Sequence, residues 1–191
     1  MNKEEIRFEM IAKRNSFSKE EIFKKSKRAA ENFLALLDVE NSFTIGAYVD
    51  FKNEVSTRKI IESLSASGKK VFLPVTDFEK AELNFAEFIS FSDLIDDKHG
   101  VLEPNEKNFI SPEGIDLFIV PCVAFDKKGY RIGWGKGYYD KFFDTNSISA
   151  LKIGLAFDFQ LVDSLPYDSQ DVPLDIIVTE SKVHYFSKPL I

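Results

Sequence analysis

Apolar positions near the start of the chain recur with helical spacing. Ile6, Met10 and Ile11 predict a helix over residues 3–14. Ser18-Lys19-Glu20-Glu21 forms a capping box that opens a second helix, whose apolar positions are Ile22, Phe23, Ala29, Ala30, Phe33, Leu34 and Leu37. The pattern then shortens. Residues 43–49 read as a strand, and residues 57–64 as a helix with Ile60, Ile61 and Leu64 on one side, ended by Gly68. Residues 70–73 predict a short strand stopped by Pro74, and residues 83–88 another. Between Asp93 and Gly114 no period survives, and the charged, Pro- and Gly-containing stretch reads as loop. The apolar run 115–120 reads as a buried strand, residues 137–143 as a helix, and residues 151–157 and 176–179 as strands. Strands alternating with helices predict a single α/β domain, residues 1–191, with a mostly parallel sheet.

Composition narrows the function. A chain of 191 residues that is 44% hydrophobic can bury one sizeable core, and its 19 Phe point to an aromatic-rich interior. A net charge of −6 argues against general nucleic-acid binding, because no global positive field is available. Cys122 is the only cysteine, so no intrachain disulfide can form, and it reads as a buried, inert thiol. His99 and His184 cannot make a zinc site without cysteines. The first residues lack the apolar stretch of a secretory signal, and no apolar run approaches the length of a membrane span. The expectation is a cytoplasmic monomer with no membrane partner.

The chemistry concentrates in Val120–Asp140. Gly129, Gly133, Gly135 and Gly137 follow a predicted strand, and Arg131, Lys136 and Asp140 stand among them. Glycines let a backbone approach an anion closely, and cations neutralise it. A Walker A loop ending at Lys136 would need Gly where Tyr130 stands and Ser or Thr where Gly137 stands; a dinucleotide fingerprint starting at Gly133 would need a small residue in place of Tyr138. A phosphate site therefore rests on Arg131, which can fork two oxygens, and Lys136, a movable point charge. A plain hairpin turn is the competing reading.

Other residues carry two readings each. Asp140 and Asp175 are either magnesium carboxylates or a first-turn helix aspartate and a turn residue. Lys3 and Arg7, four apart, share a helix face that is a ligand contact or merely solvated. Glu54, just past the first strand, faces a ligand or opens a helix. Trp134 is a core residue or a stacking platform for a flat heteroaromatic ring.

The segment 120–140 resembles the signature of the 5-formyltetrahydrofolate cyclo-ligases: Pro121, Phe125-Asp126, Gly129-Tyr130-Arg131, then Gly133 to Asp140. The resemblance extends over nearly the whole chain, in family order, through Lys3 and Arg7, Glu54-Val55, Gly100 with Glu103-Pro104, Gln160 with Leu165-Pro166, and Asp175 with Thr179-Glu180. Cys122 departs from the usual glycine, Lys141 from a common arginine, and Trp134 occupies a variable position. The resemblance implies a three-layer α/β sandwich related to the sugar-phosphate isomerase and CoA-transferase group. It also implies ATP- and Mg²⁺-dependent cyclisation of 5-formyltetrahydrofolate to 5,10-methenyltetrahydrofolate through a phosphorylated formyl group, releasing ADP and phosphate. By the same resemblance Lys3, Arg7, Arg131, Gly133, Trp134, Gly135, Lys136, Gly137, Tyr138 and Tyr139 bind ATP, with Arg131 and Lys136 stabilising the transferring phosphoryl. Asp140 and Asp175 hold magnesium, while Glu54, Val49, Glu103, Trp134 and Tyr138 line the folate side. A small-molecule kinase using the same loop, and a nucleotide- or folate-binding regulator, are the competing functions.

Overall fold

The computed structural model of the chain describes residues 1–146 and 148–186. In chain order its elements are α1 (Lys3–Ser16), α2 (Lys19–Leu34), α3 (Leu37–Asn41), β1 (Thr44–Gly46), α4 (Arg58–Ala66), β2 (Lys70–Asp77) and β3 (Glu82–Glu87). They continue with β4 (Leu94–Asp96), β5 (Leu102–Pro104), β6 (Leu117–Pro121), β7 (Ala124–Asp126) and β8 (Arg131–Ile132). The last are α5 (Tyr138–Thr145), β9 (Leu151–Leu155), β10 (Leu161–Val162), β11 (Ile176–Val178) and β12 (Val183–Tyr185).

The main sheet has seven strands in the order β12-β11-β9-β6-β1-β2-β3. The five central strands are parallel, and the edge strands β3 and β12 pair antiparallel. Alternate residues feed two cores. Leu117 and Ile119 of β6 join Ile176 and Val178 of β11 under Phe33 of α2 and Ile60, Ile61 and Leu64 of α4. Phe118 and Val120 join Ile177 beneath Phe142 and Phe143 of α5 on the other face. The expected three-layer α/β sandwich is the result. Gly46 makes room for one of these layers: a Cβ there would lie 2.6 Å from the Phe118 ring.

Both long N-terminal helices begin as local chemistry dictates. The Ser18–Glu21 capping box forms, with Glu21 accepting from the Ser18 N–H at 2.8 Å. A second box, Asn2 with Glu5, opens α1 and is absent from the sequence reading. Three expectations are corrected. The first strand stops at Gly46; Ala47 N still donates to the Phe72 carbonyl, and residues 47–49 lie outside the strand. Strand β2 passes through Pro74 to Asp77. Phe72 offers its carbonyl to Ala47 N on the β1 side, so Pro74, two residues on, faces that side beyond the end of β1 and forfeits no ladder bond. Residues 93–114 are not all loop. They contain the β4–β5 hairpin, turned by Asp97, which accepts from the N–H groups of His99 and Val101, and anchored by Leu94 and Leu102 against the core.

A separate three-stranded sheet, β10-β7-β8, carries the glycine loop and was not legible as strands. Buried Asp126 holds it together: one carboxylate oxygen accepts from Lys128 N and Tyr130 N, and the other from Leu165 N. Gly129 turns the β7–β8 hairpin at φ +86°, and a Cβ there would sit 2.7 Å from the Leu174 carbonyl oxygen. Gln160 ties the same region to the end of β6 by donating to the Cys122 and Val123 carbonyls.

Candidate active site at the β1 and β6 strand ends

The chain leaves β1 towards β2 on one side, and β6 towards β9 and β11 on the other. The two connections therefore part at the carboxyl ends of neighbouring parallel strands, where α/β sheets open a crevice. The segment after β1 supplies Glu54, and the glycine loop, reached through β7 and β8, supplies Trp134. They meet across the crevice: Trp134 Nε1 donates to Glu54 Oε1 at 2.7 Å.

Glu54 is 5% exposed. Its other oxygen accepts from Phe51 N at 3.0 Å. Burial pushes its carboxyl up to about 7, against the opposing pull of the Trp134 hydrogen bond, the Arg14 charge and the Phe51 N–H. The sign of the stability effect follows. Between about 4.5 and 7 the folded chain keeps a proton on Glu54 that the unfolded chain has released. Stability from this group is thus fully present at low pH and is lost as pH rises through 7, by roughly 3 kcal/mol in all. Thermal melts from pH 5 to 8 are expected to show this decline in the native protein and a flatter course in Glu54→Gln. Parallel curves would remove Glu54 as its source.

Trp134 is neither plain core nor a bare platform. Phe51 packs edge-on to it at 5.8 Å, and the charged ends of Arg14 and Lys52 lie 5.1 and 5.6 Å from its ring centre. Val49 lies buried beside this region in the core. Glu103 is on the β4–β5 hairpin, where Lys107 bonds it at 2.6 Å; among the described residues no hydrogen bond or ion pair joins it to the glycine loop.

On the glycine-loop side, Arg7 Nε donates to the Gly133 carbonyl at 2.9 Å, and its guanidinium lies 3.1 Å from where a Cβ on Gly135 would stand. Gly135 and Gly137 both have positive φ, the left-handed region that glycine enters freely. Gly137 caps α5, whose first turn is Tyr138, Tyr139 and Asp140, with open N–H groups aimed out of the helix end. Lys136 is exposed and has no hydrogen-bond or ion-pair partner among the described residues. Tyr138, the first residue of α5, is half-buried against the core that contains Phe142 and Phe143, and the Tyr139 hydroxyl is buried with no partner among the described residues.

Three expected ligand contacts are engaged within the chain. Lys3 bonds Asp171 at 2.5 Å and Asp168 at 3.2 Å; burial works against its ammonium, but these two carboxylates outweigh it and raise its pKa. Arg131, 7% exposed, donates to the Val172 carbonyl at 2.8 Å and pairs with Asp140 at 3.1 Å. Asp175 pairs with Lys152 at 3.4 Å and accepts from its N–H. Asp140 and Asp175 each use a single oxygen in these contacts; the second oxygen of each has no partner among the described residues. No cluster of three or more His, Cys, Asp or Glu exists among those residues. A free carboxylate oxygen is the donor type a hard cation such as magnesium takes; no hydrogen bond or ion pair among the described residues joins Asp140 to Asp175. Cys122 is buried, its thiol pushed up to about 12 by burial, as expected of an inert sulfur. A surface cavity of about 490 Å³ lies on α2, lined by Lys24, Lys25, Arg28 and Glu180, and shares no residue with this crevice.

Comparison with known proteins settles the lineage. The model of the 5-formyltetrahydrofolate cyclo-ligase family matches residues 1–180. The chain belongs to the 5-formyltetrahydrofolate cyclo-ligase family. The cyclo-ligase of Haemophilus influenzae is 36% identical over 153 residues, 78% of this chain and 82% of that protein. The cyclo-ligase of Escherichia coli K12 is 31% identical, over 90% of this chain and 96% of its own. The NMR structure of the Aquifex aeolicus 5,10-methenyltetrahydrofolate synthetase superposes with a TM-score of 0.86 at 33% identity, covering 99% of this chain and 95% of that one. The similarity to cyclo-ligases thus holds in sequence and in fold.

One buried cation of the crevice escaped the sequence reading. Arg14 is 1% exposed, and its signal was available: Ile6, Met10 and Arg14 are spaced by four, so the arginine continues the inward face of α1.

Proposed function

We propose that this chain converts 5-formyltetrahydrofolate to 5,10-methenyltetrahydrofolate with ATP and magnesium, releasing ADP and phosphate. One observation carries the reading. Trp134, which bonds Glu54 on the heteroaromatic side, is flanked by Gly133 and Gly135, which meet Arg7 on the phosphate side. A folate ring and a triphosphate end would therefore lie in neighbouring subsites, as transfer between them requires.

The loop glycines and the first-turn N–H groups of α5 would take phosphate oxygens. Lys136, free and exposed, would follow the transferring group, while Arg131 contributes a fixed positive charge from inside the fold. Arg7 would support the loop and the nucleotide. Lys3 would reach ATP by exchanging Asp168 and Asp171 for phosphate oxygens. Glu54 would accept N–H groups of the pterin, with Val49 and Tyr138 beside it. ATP supplies the phosphoryl that turns the formyl oxygen into a leaving group, so that N10 can close the ring. Asp140 and Asp175 would hold magnesium, which neutralises phosphate charge.

Purified protein given 5-formyltetrahydrofolate, ATP and Mg²⁺ is expected to produce the near-ultraviolet absorbance of the methenyl product only when ATP is present. A flat trace from folded, ATP-binding protein would favour a kinase or a regulator, and a stable phosphorylated product in mass spectrometry would select the kinase. Asp140→Asn is expected to raise the magnesium needed for half-maximal turnover roughly tenfold or more. An unchanged titration would take Asp140 out of the metal site.

A further inference from the structure

Among the described residues, three buried side-chain nitrogen or oxygen atoms lack any hydrogen-bond partner: Nε and Nη2 of Arg14 and the hydroxyl of Tyr139. The charge environments of both residues include Glu54. Buried polar groups without partners are rare and costly, and an arginine kept only for packing would have its N–H groups satisfied. Arg14 instead places its guanidinium 5.1 Å from the centre of the Trp134 ring, while the indole N–H on the same ring donates to Glu54 at 2.7 Å. Cation, indole and carboxylate thus form one unit, with Arg14 behind it on α1 and the crevice in front.

We propose that Arg14 is a positioning residue for the folate side of the site: it packs on the Trp134 ring and favours the carboxylate form of Glu54, able to accept N–H donors from an electron-poor heterocycle. The inference rests on the cyclo-ligase reading for the identity of that heterocycle. The groups around Glu54 come from every neighbouring element. Arg14 approaches from α1. Tyr48, Asp50 and Lys52 lie along the chain after β1, and Tyr139 lies at the start of α5. Asp50 opposes ionisation of Glu54, and Arg14 is the buried cation that favours it. Lys52 is exposed, so solvent screens it.

The chain has a single tryptophan, and it is Trp134. Its fluorescence therefore reports the ionisation of the carboxyl group bonded to it, with or without turnover. In the full-length protein the emission is expected to change with a midpoint near pH 7. In Arg14→Met the midpoint is expected to rise by about one unit, because an opposite charge has been removed. In Arg14→Lys it is expected to stay near the native value. In steady-state assays Arg14→Met is expected to lose roughly tenfold in kcat/KM for 5-formyltetrahydrofolate, the loss growing towards acid pH, with the KM for ATP within about twofold. Arg14→Lys is expected to restore most of that loss. A native midpoint in Arg14→Met would overturn the proposal, as would losses shared equally between folate and ATP. Should Arg14→Met fail to melt cooperatively, the neutral, polar Arg14→Gln is read the same way. If the native protein forms no methenyl product, the cyclo-ligase reading falls, while the fluorescence midpoints still decide whether Arg14 governs Glu54.

Discussion

Lys136→Ala is expected to lower kcat by about 10²–10³-fold, the usual cost of removing one donor aimed at developing charge. The melting temperature is expected to stay at the native value. Both halves follow from the same placement: Lys136 stands exposed between Gly135 and Gly137, with no partner among the described residues. Its ammonium supports nothing in the folded chain, so its removal leaves no buried group unpaired. On the loop it is the cation free to follow a phosphoryl group as it moves. Absorbance assays at saturating ATP and folate, with calorimetric melts of the same preparations, check both parts. A near-native rate would show that the loop binds phosphate, if at all, without Lys136.

Arg131→Met is expected to fail differently. Arg131 is 7% exposed and holds the Val172 carbonyl and the Asp140 carboxylate at once. Breaking a buried pair by removing one partner typically costs about 3–5 kcal/mol. Equilibrium urea unfolding should show a loss of that order, and turnover should vanish with it. The double variant Arg131→Met with Asp140→Asn is expected to recover part of the stability and none of the turnover. A native urea midpoint in Arg131→Met would show that the pair contributes little, and would leave Arg131 with a purely catalytic place. The two cations of the glycine loop, similar in sequence, are thus separated by burial: Lys136 stands at the surface, and Arg131 is paired inside the fold.

How much of this was legible varied with the length of the pattern. Helices α1 and α2 repeat their apolar positions often enough to be read, and the unbroken run into β6 marks a strand buried on both faces. Strands β7, β8 and β10 have two or three residues each, too few for any period, so the small sheet that presents the glycine loop was invisible. Pro74 read as a stop because its consequence depends on which neighbour a strand faces, a property of the sheet. The glycines, Arg131 and Lys136 suggested a phosphate site by type and spacing, and the proposed function rests on that reading. Pairings were not legible: Lys3 with Asp168 and Asp171, and Glu54 with Trp134, join residues whose proximity only the topology creates. Arg14 was the avoidable omission, a charged residue at the next inward position after Ile6 and Met10.

The hydrogen bond between Glu54 and Trp134 spans 80 positions of sequence, and Arg7 reaches across 126 to Gly133. Neither contact lies within one local element: each joins the N-terminal part of the chain to the glycine loop beyond β6. During synthesis, a chain that has emerged only as far as β5 carries both the first helices and Glu54 but not the loop that meets them. The loop-closure cost of these distant contacts is met by the whole sheet rather than by the site. A chain cut short before Gly133 therefore lacks both contacts, because the residues that close them have not yet been joined.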